Sequence, residues 1–132
     1  MRDMYEHTVS DVMKPKFDTI DRMATITEAI KAMKHIETKC LIVERHDEKD
    51  KIGLLLLSDI SRLVLAKDKA PDRVNVYEVM IKPVLSVEPK MSVSNCARLF
   101  DQFDLSRAPV VENRVVVGIV SFTDLVLKGF TK

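Results

Sequence analysis

Apolar residues in this chain come in short blocks whose spacing alternates between helix and strand periods, and the alternation runs through twice. In the first half Ile26, Ala29, Ile30 and Met33 keep the three- and four-residue steps of one helix face. Thr25 stands before them with Glu28 three positions on, a capping box that satisfies the first free amides of a helix. Two β-rich runs follow at 40–44 and 52–57, flanking the charged stretch 45–51, and a closing helix is predicted over 59–67. In the second half Val93, Cys96, Ala97, Phe100 and Phe103 keep helical steps, and the β-rich runs fall at 108–112 and 115–120. Only Asn113-Arg114 separates those two, which suits a tight hairpin, and a last helix is predicted over 124–128. A short extended piece precedes each copy's first helix, at 17–20 and 85–87. The stretch 68–72, polar and containing Pro71, reads as a connection.

The repetition reaches individual residues. Val9-Ser10-Asp11-Val12-Met13 returns as Val76-Tyr77-Glu78-Val79-Met80 at an offset of 67, and Thr25-Ile26-Thr27 answers Ser92-Val93-Ser94 at the same offset. Leu41-Ile42-Val43-Glu44 lines up with Pro109-Val110-Val111-Glu112 at 68. Gly53-Leu54-Leu55-Leu56-Leu57-Ser58-Asp59 then meets Gly118-Ile119-Val120-Ser121-Phe122-Thr123-Asp124 at 65. Two repeats result, 9–67 and 76–130, joined by a linker over 68–75. A repeat of about 60 residues buries too little apolar surface to stand alone. Runs such as 54–57 and 115–117 are apolar on both faces, so both faces call for cover. The economical solution is an α/β (α+β) body with its halves packed about an approximate two-fold axis. Grooves between related halves are natural ligand positions.

Composition narrows the function. Among 132 residues, 21 basic and 20 acidic side chains leave a net charge of +1, too weak a field to gather nucleic acid or an anionic membrane. With 46% apolar residues, 3 Gly and 5 Pro, disorder and low complexity are excluded. No apolar run reaches the roughly 18–20 residues that span a bilayer. The opening Met1-Arg2-Asp3-Met4-Tyr5-Glu6 carries no signal-peptide core, so a cytoplasmic location is expected. Cys40 and Cys96 are isolated, as reduced thiols in a core would be. His7, His35 and His46 lack zinc-binding spacing, and no metal is expected. His46-Asp47-Glu48-Lys49-Asp50 lacks the spacing and glycine of a calcium loop and reads as a solvated hairpin tip. No residues assemble a nucleophile, a base and an oxyanion site, so catalysis is not expected.

The chemistry concentrates at 115–127. An apolar strand ends at Val120, Ser121 falls where a helix begins, and Asp124 lies three positions on. Free amides at a helix start favour an anion, a hydroxyl there can donate to a phosphate or sugar oxygen, and a carboxylate one turn in can accept from vicinal hydroxyls. The turn thus suits a ribose phosphate. The alternative is local: Ser121 caps the helix while Asp124 complements its dipole. Arg107, beside Pro109 at the start of the preceding strand, adds a guanidinium able to fork onto phosphate, unless it is simply a solvated surface residue.

Ser-Arg-Ala-Pro-Val-Val at 106–111 and Gly-Ile-Val-Ser-Phe-Thr-Asp-Leu at 118–125, with the openings Asp11-Val12-Met13 and Glu78-Val79-Met80, resemble the cystathionine-β-synthase (CBS) domain. The resemblance covers nearly the whole chain and makes it a tandem pair of βαββα-type repeats, a Bateman module. It implies a regulatory pair that binds AMP, ADP, ATP or an S-adenosyl compound between repeats, needs no cofactor, forms a homodimer and signals to a separate protein effector. It further implies that Ser121, Thr123 and Asp124 hold ribose and phosphate and Arg107 a phosphate. The base would then lie near Lys14, Phe17, Asp18, Thr38 and Lys39, with Ile119 as an apolar wall. In the related cleft Leu56 replaces the hydroxyl, Ser58 and Asp59 remain, and Lys39 stands for Arg107. Base contacts there would come from Val84, Leu85, Leu105 and Ser106, and binding is expected to be weak or absent. Apolar helix faces around Val64, Leu65, Val126 and Leu127 are expected to form the homodimer. A purely structural dimerisation module without ligand is the alternative.

Overall fold

The computed structural model describes residues 7–82 and 84–130, and the reading of Met1–Glu6 above lies outside them. The chain forms two compact units, one from the segment up to Lys16 together with Leu85 onward, the other from Phe17–Val84. The units cut across the repeats: each combines the body of one repeat with the opening segment of the other.

In the unit of 17–84, β1 (Thr19–Ile20) pairs in parallel with β2 (Cys40–Val43), and β2 pairs antiparallel with β3 (Gly53–Leu56). The segment after the second opening motif adds an edge contact, Ile81 bridging Leu54. Helix α2 (Ile26–Ala32) begins at the predicted capping box, with Thr25 Oγ1 accepting from the Glu28 amide at 3.1 Å. Its Ile26 and Ala29 are buried while Ile30 turns outward. Ile26, Leu41, Val43, Leu55, Val64, Val76 and Val79 share one core, which places the opening motif of the second repeat inside this unit.

The other unit repeats the plan. Helix α1 (Val9–Val12), from the first repeat's opening, buries Val9 and Val12 against Val87, Cys96, Phe100, Val110, Val120 and Leu125. Helix α4 (Val93–Phe103) starts on Ser92, whose hydroxyl accepts from the Asn95 amide at 3.1 Å. It buries Cys96 and Phe100 but leaves Ala97 and Phe103 exposed. Strands β4 (Arg107–Glu112) and β5 (Val115–Ser121) form an antiparallel hairpin across Asn113 and Arg114, at φ 51° and 66°. Both are left-handed, as the tight two-residue turn requires. Val87 bridges Val110 in parallel, Lys14 bridges Ile119 from the far edge, and α5 (Phe122–Gly129) closes the unit.

Three expectations need correction. The run 115–117 is not covered on both faces: Val115 is 60% exposed and its two neighbours are half-buried, because they lie beside the hairpin tip. The helix placed at 59–67 begins earlier, as α3 (Leu57–Ile60), and runs into a π-helical turn at Ser61–Leu65. That turn carries Val64 into the core, so Val64 is unavailable to a dimer face, whereas Leu65 is 73% exposed.

Strand pairing also resets the alignment of the repeats. Ile20 lies opposite Val43, and Val87 opposite Val110, so the offset stays at 67 through the second strand instead of rising to 68. The counterpart of Arg107 is therefore Cys40, not Lys39, as each stands opposite the last residue of its partner strand, Ser121 or Leu56.

Candidate functional site

Strand β5 delivers Ser121 to the end of the sheet, where extended backbone (φ −116°, ψ 163°) turns into α5. The capping box forms in full. Ser121 Oγ accepts from the Asp124 amide at 3.2 Å, and Asp124 Oδ2 accepts from the Ser121 amide and hydroxyl, each at 3.0 Å. Both residues are buried, Asp124 to 3% exposure. The helix-cap reading of this pair is thus realised in the fold.

A cation reaches the same carboxylate from the start of the chain. Lys14 exchanges backbone hydrogen bonds with Ile119 at 2.8 and 2.9 Å, and its ammonium pairs with Asp124 Oδ1. Gly118 makes this approach possible. A Cβ there would stand 2.8 Å from the Lys14 carbonyl oxygen and 2.7 Å from Met13 Sδ, inside any tolerable contact. Lys128, one helical turn after Asp124, adds its ammonium at 3.7 Å and donates to the Val12 carbonyl at 3.3 Å. Burial by itself would raise the Asp124 pKa; the bonds from Lys14 and Ser121 outweigh it and hold the carboxyl below its ordinary value. A carboxylate offers about four acceptor positions. Ser121 and Lys14 fill three, leaving a place on Oδ1, the oxygen that Lys14 and Lys128 approach.

Arg107 stands opposite Ser121 in the β4–β5 pair, so their side chains share one face of the hairpin. It is half-buried, Ile119 is buried, and Thr123 is exposed on the first turn of α5. The fold thus brings Lys14, Arg107, Ile119, Ser121 and Asp124 together in one unit, with Thr123 beside them. Phe17, Asp18, Thr38 and Lys39 belong to the other unit. There the buried Asp18 carboxylate accepts from the Lys34 and His35 amides at 3.0 and 2.8 Å, ending α2. Thr38 Oγ1 lies 2.8 and 3.0 Å from the His35 and Cys40 carbonyls, and Lys39 takes a left-handed turn at φ 58°. The structure adds Gly118 and Lys128 to the site. A glycine inside an apolar strand and a lysine four positions after an acid were the available signals.

The unit of 17–84 has the same backbone and different chemistry. Leu56 is the N-cap of α3 and offers no side-chain cap. Ile81 occupies the place of Lys14 and Cys40 that of Arg107. Asp59 remains, bonded to Arg62 at 3.1 Å across one helical turn, and Ser58 is exposed. Val84 is half-buried in this unit; Leu85, Leu105 and Ser106 fall in the other, where the Ser106 carbonyl accepts from the Phe122 amide at 3.0 Å. Cys96 is buried and its thiol is pushed up to about 11, so it stays protonated at neutral pH. Among the described residues, no group of three or more His, Cys, Asp and Glu is placed to hold a metal, and no helix is long and apolar enough to cross a membrane.

Each unit holds a small sheet that ends in a strand-to-helix turn with an acid in the first turn of the helix, so one architecture is present twice. The CBS domain family model matches residues 9–66 and 76–129, and the chain belongs to that family as a tandem pair. CBS domain pairs are generally regulatory ligand-binding modules rather than catalysts. The CBS domain-containing protein YhcV of Bacillus subtilis is 31% identical over 119 residues, covering 89% of this chain and 82% of that protein. Protein MK0525 of Methanopyrus kandleri is 32% identical over 98 residues, 74% of this chain and 49% of that one. The chain spans about half of that relative, and 23% of a Methanosalsum zhilinae homoserine O-acetyltransferase that it matches at 31% identity. Among solved structures, a hexameric CBS-CP12 protein from bloom-forming cyanobacteria superposes with a TM-score of 0.88 at 36% identity, over 92% of this chain and 67% of that one.

Proposed function

We propose that this CBS pair is a regulatory module that binds an adenosyl compound (AMP, ADP, ATP or an S-adenosyl compound) at the Ser121–Asp124 turn, performs no chemistry on it, and signals to a separate protein. The observation that carries the reading is the buried Asp124 carboxylate, ringed by Lys14, Ser121 and Lys128 with Arg107 across the strand pair, in one unit and not the other. A ribose hydroxyl can use the remaining acceptor position on Asp124, and Arg107 can fork onto a phosphate. An arriving phosphate also competes for Lys14, loosening the chain's first segment from α5 and so giving ligand and conformation a shared contact. Leu65, Val126, Leu127 and Phe130 are 51–73% exposed apolar side chains, and a homodimer would cover them. The assembly of the cyanobacterial CBS-CP12 protein as a hexamer supports association of this kind.

One observation favours a structural module instead: the chain's own donors already satisfy most of Asp124. A thermal-shift series separates the two readings. Binding at a hundred times Kd stabilises by about 2.7 kcal/mol, a rise of several degrees for a chain this size. We expect such a rise with at least one of AMP, ADP, ATP or S-adenosylmethionine, and its loss in Arg107→Ala. Arg107 is half-buried and Asp124 almost wholly buried, so that variant is gentler on the fold than Asp124→Ala. No shift with any of the four would leave the structural reading.

A further inference from the structure

We propose that two copies of this chain associate through unlike faces, the α2–α3 face of one copy seated on the α4–α5 face of the other. The inference rests on the self-association proposed above and goes further, to which surfaces meet. Each unit has a groove between its two helices. In the unit of 17–84 it measures about 240 Å³ and runs between Ile30 of α2 and Leu57 and Leu65 of the closing helix, with Lys69 in its lining. In the other unit it measures about 290 Å³ and runs between Ala97 of α4 and Phe122 and Val126 of α5, with Asp101 and Asp104 in its lining. Ile30 and Leu65 stand exposed beside the first groove, Phe122 and Val126 beside the second, so both present apolar surface for a partner to cover.

The sign of charge separates the two grooves. Lys69 is the charged residue lining one, and two carboxylates line the other. The surrounding stretches lean the same way: 26–37 and 57–69 hold five bases and four acids, whereas 93–104 and 122–130 hold two bases and three acids. A contact between like faces repeats one patch against itself, which would set Asp101 and Asp104 against a second pair of the same acids. Unlike faces set those acids against Lys69 instead, and such complementarity selects a partner by suppressing the wrong one. The charges are held by built helix ends. The Lys69 amide donates to the Val64 carbonyl at 3.0 Å after the π-helical turn, and α4 ends at Asp104 in a left-handed conformation (φ 52°) with the Leu105 amide donating to the Phe100 carbonyl at 2.9 Å. Bulk is distributed in the same complementary way. Ile30 and Val126 are half-exposed, and their matching positions in the sister unit are the small Ala97 and Ser61.

The experiment uses the whole chain. Ile30→Cys and Ala97→Cys chains carrying different tags are dissociated, remixed and treated with a short bismaleimide; Cys40 and Cys96 are buried, so the introduced thiols are the reactive ones. We expect the mixture to cross-link one tag to the other, and neither variant to cross-link by itself. Links within each variant alone, or none in the mixture, would overturn the pairing. In sedimentation, Asp101→Asn/Asp104→Asn, at exposed positions, should weaken the dimer at least about threefold, the scale of a rim ion pair, and reduce its salt dependence. An unchanged or tighter dimer would overturn the pairing as well, since contact between like faces predicts relief of repulsion. A monomer at every concentration would remove the self-association itself, while a dimer linked like to like removes only the choice of faces.

Discussion

The two units are built on one backbone plan and carry different side chains at three matching places. Where one has Lys14, Arg107 and Ser121, the other has Ile81, Cys40 and Leu56. The second unit still folds its sheet, turns at the end of its strand and starts its helix without a side-chain cap. The fold therefore does not require the polar set. Burying a carboxylate costs free energy that only good partners recover. At the matching turn the sister unit leaves Asp59 half-buried on Arg62 instead of enclosing it, and this contrast supports the proposed ligand position at Ser121 and Asp124.

The largest expected effect that tests the contrast is Asp124→Ala against Asp59→Ala. The first removes the acidic half of the capping box and leaves Lys14 and the Ser121 amide facing an empty carboxylate site, and should cost about 2–4 kcal/mol in urea unfolding. The second breaks a helix-surface pair and should cost under about 1 kcal/mol. Equal losses would dissolve the distinction between the units.

Glycine substitution comes next. Gly118→Ala forces a Cβ to within 2.8 Å of the Lys14 carbonyl, while Gly53→Ala meets its nearest backbone at 3.1 Å. We expect about 2 kcal/mol of destabilisation from the first and within about 1 kcal/mol of zero from the second. A smaller loss at Gly118 would mean that the Lys14 segment can lift away easily.

The pH dependence follows from the depressed pKa of Asp124. A carboxyl whose folded pKa lies below its unfolded value of 3.8 stabilises fully above that value, and the contribution disappears as pH falls through the folded pKa. Asp124→Asn should accordingly be less stable at neutral pH and lose less between neutrality and strong acid. Parallel wild-type and variant acid-unfolding curves would contradict the assignment.

Leu56→Ser should have the smallest effect. It supplies the missing cap, worth about 1 kcal/mol, and gives up a half-buried leucine of similar value, so stability should stay within about 1 kcal/mol. Nucleotide affinity should not change, since Ile81 and Cys40 still withhold the cations. A new nucleotide site in this variant would show that the hydroxyl alone decides binding.

Much of this was legible along the chain because it is local. Thr25 with Glu28, Ser121 with Asp124 and the hairpin at Asn113-Arg114 each follow from residues within a few positions of one another. The same locality explains the misplaced counterpart of Arg107. Aligning letters rewarded Val-Val-Glu against Ile-Val-Glu, whereas cross-strand hydrogen bonds set the register and matched Cys40 to it. Val64 was misjudged because a π-helical turn rotates the helix face, and the spacing does not signal it.

By itself the sequence determined two repeats, their strand and helix order, the capped turns and the family, since short-range patterning and periodicity encode those. Only the tertiary structure decided that each repeat's opening segment packs into the body of the other, that Lys14 meets Asp124 across 110 positions, and that Lys82 pairs with Asp50 in the loop at 45–51. Those contacts join residues distant in sequence, and they are fixed by which apolar faces must be buried together rather than by any local pattern.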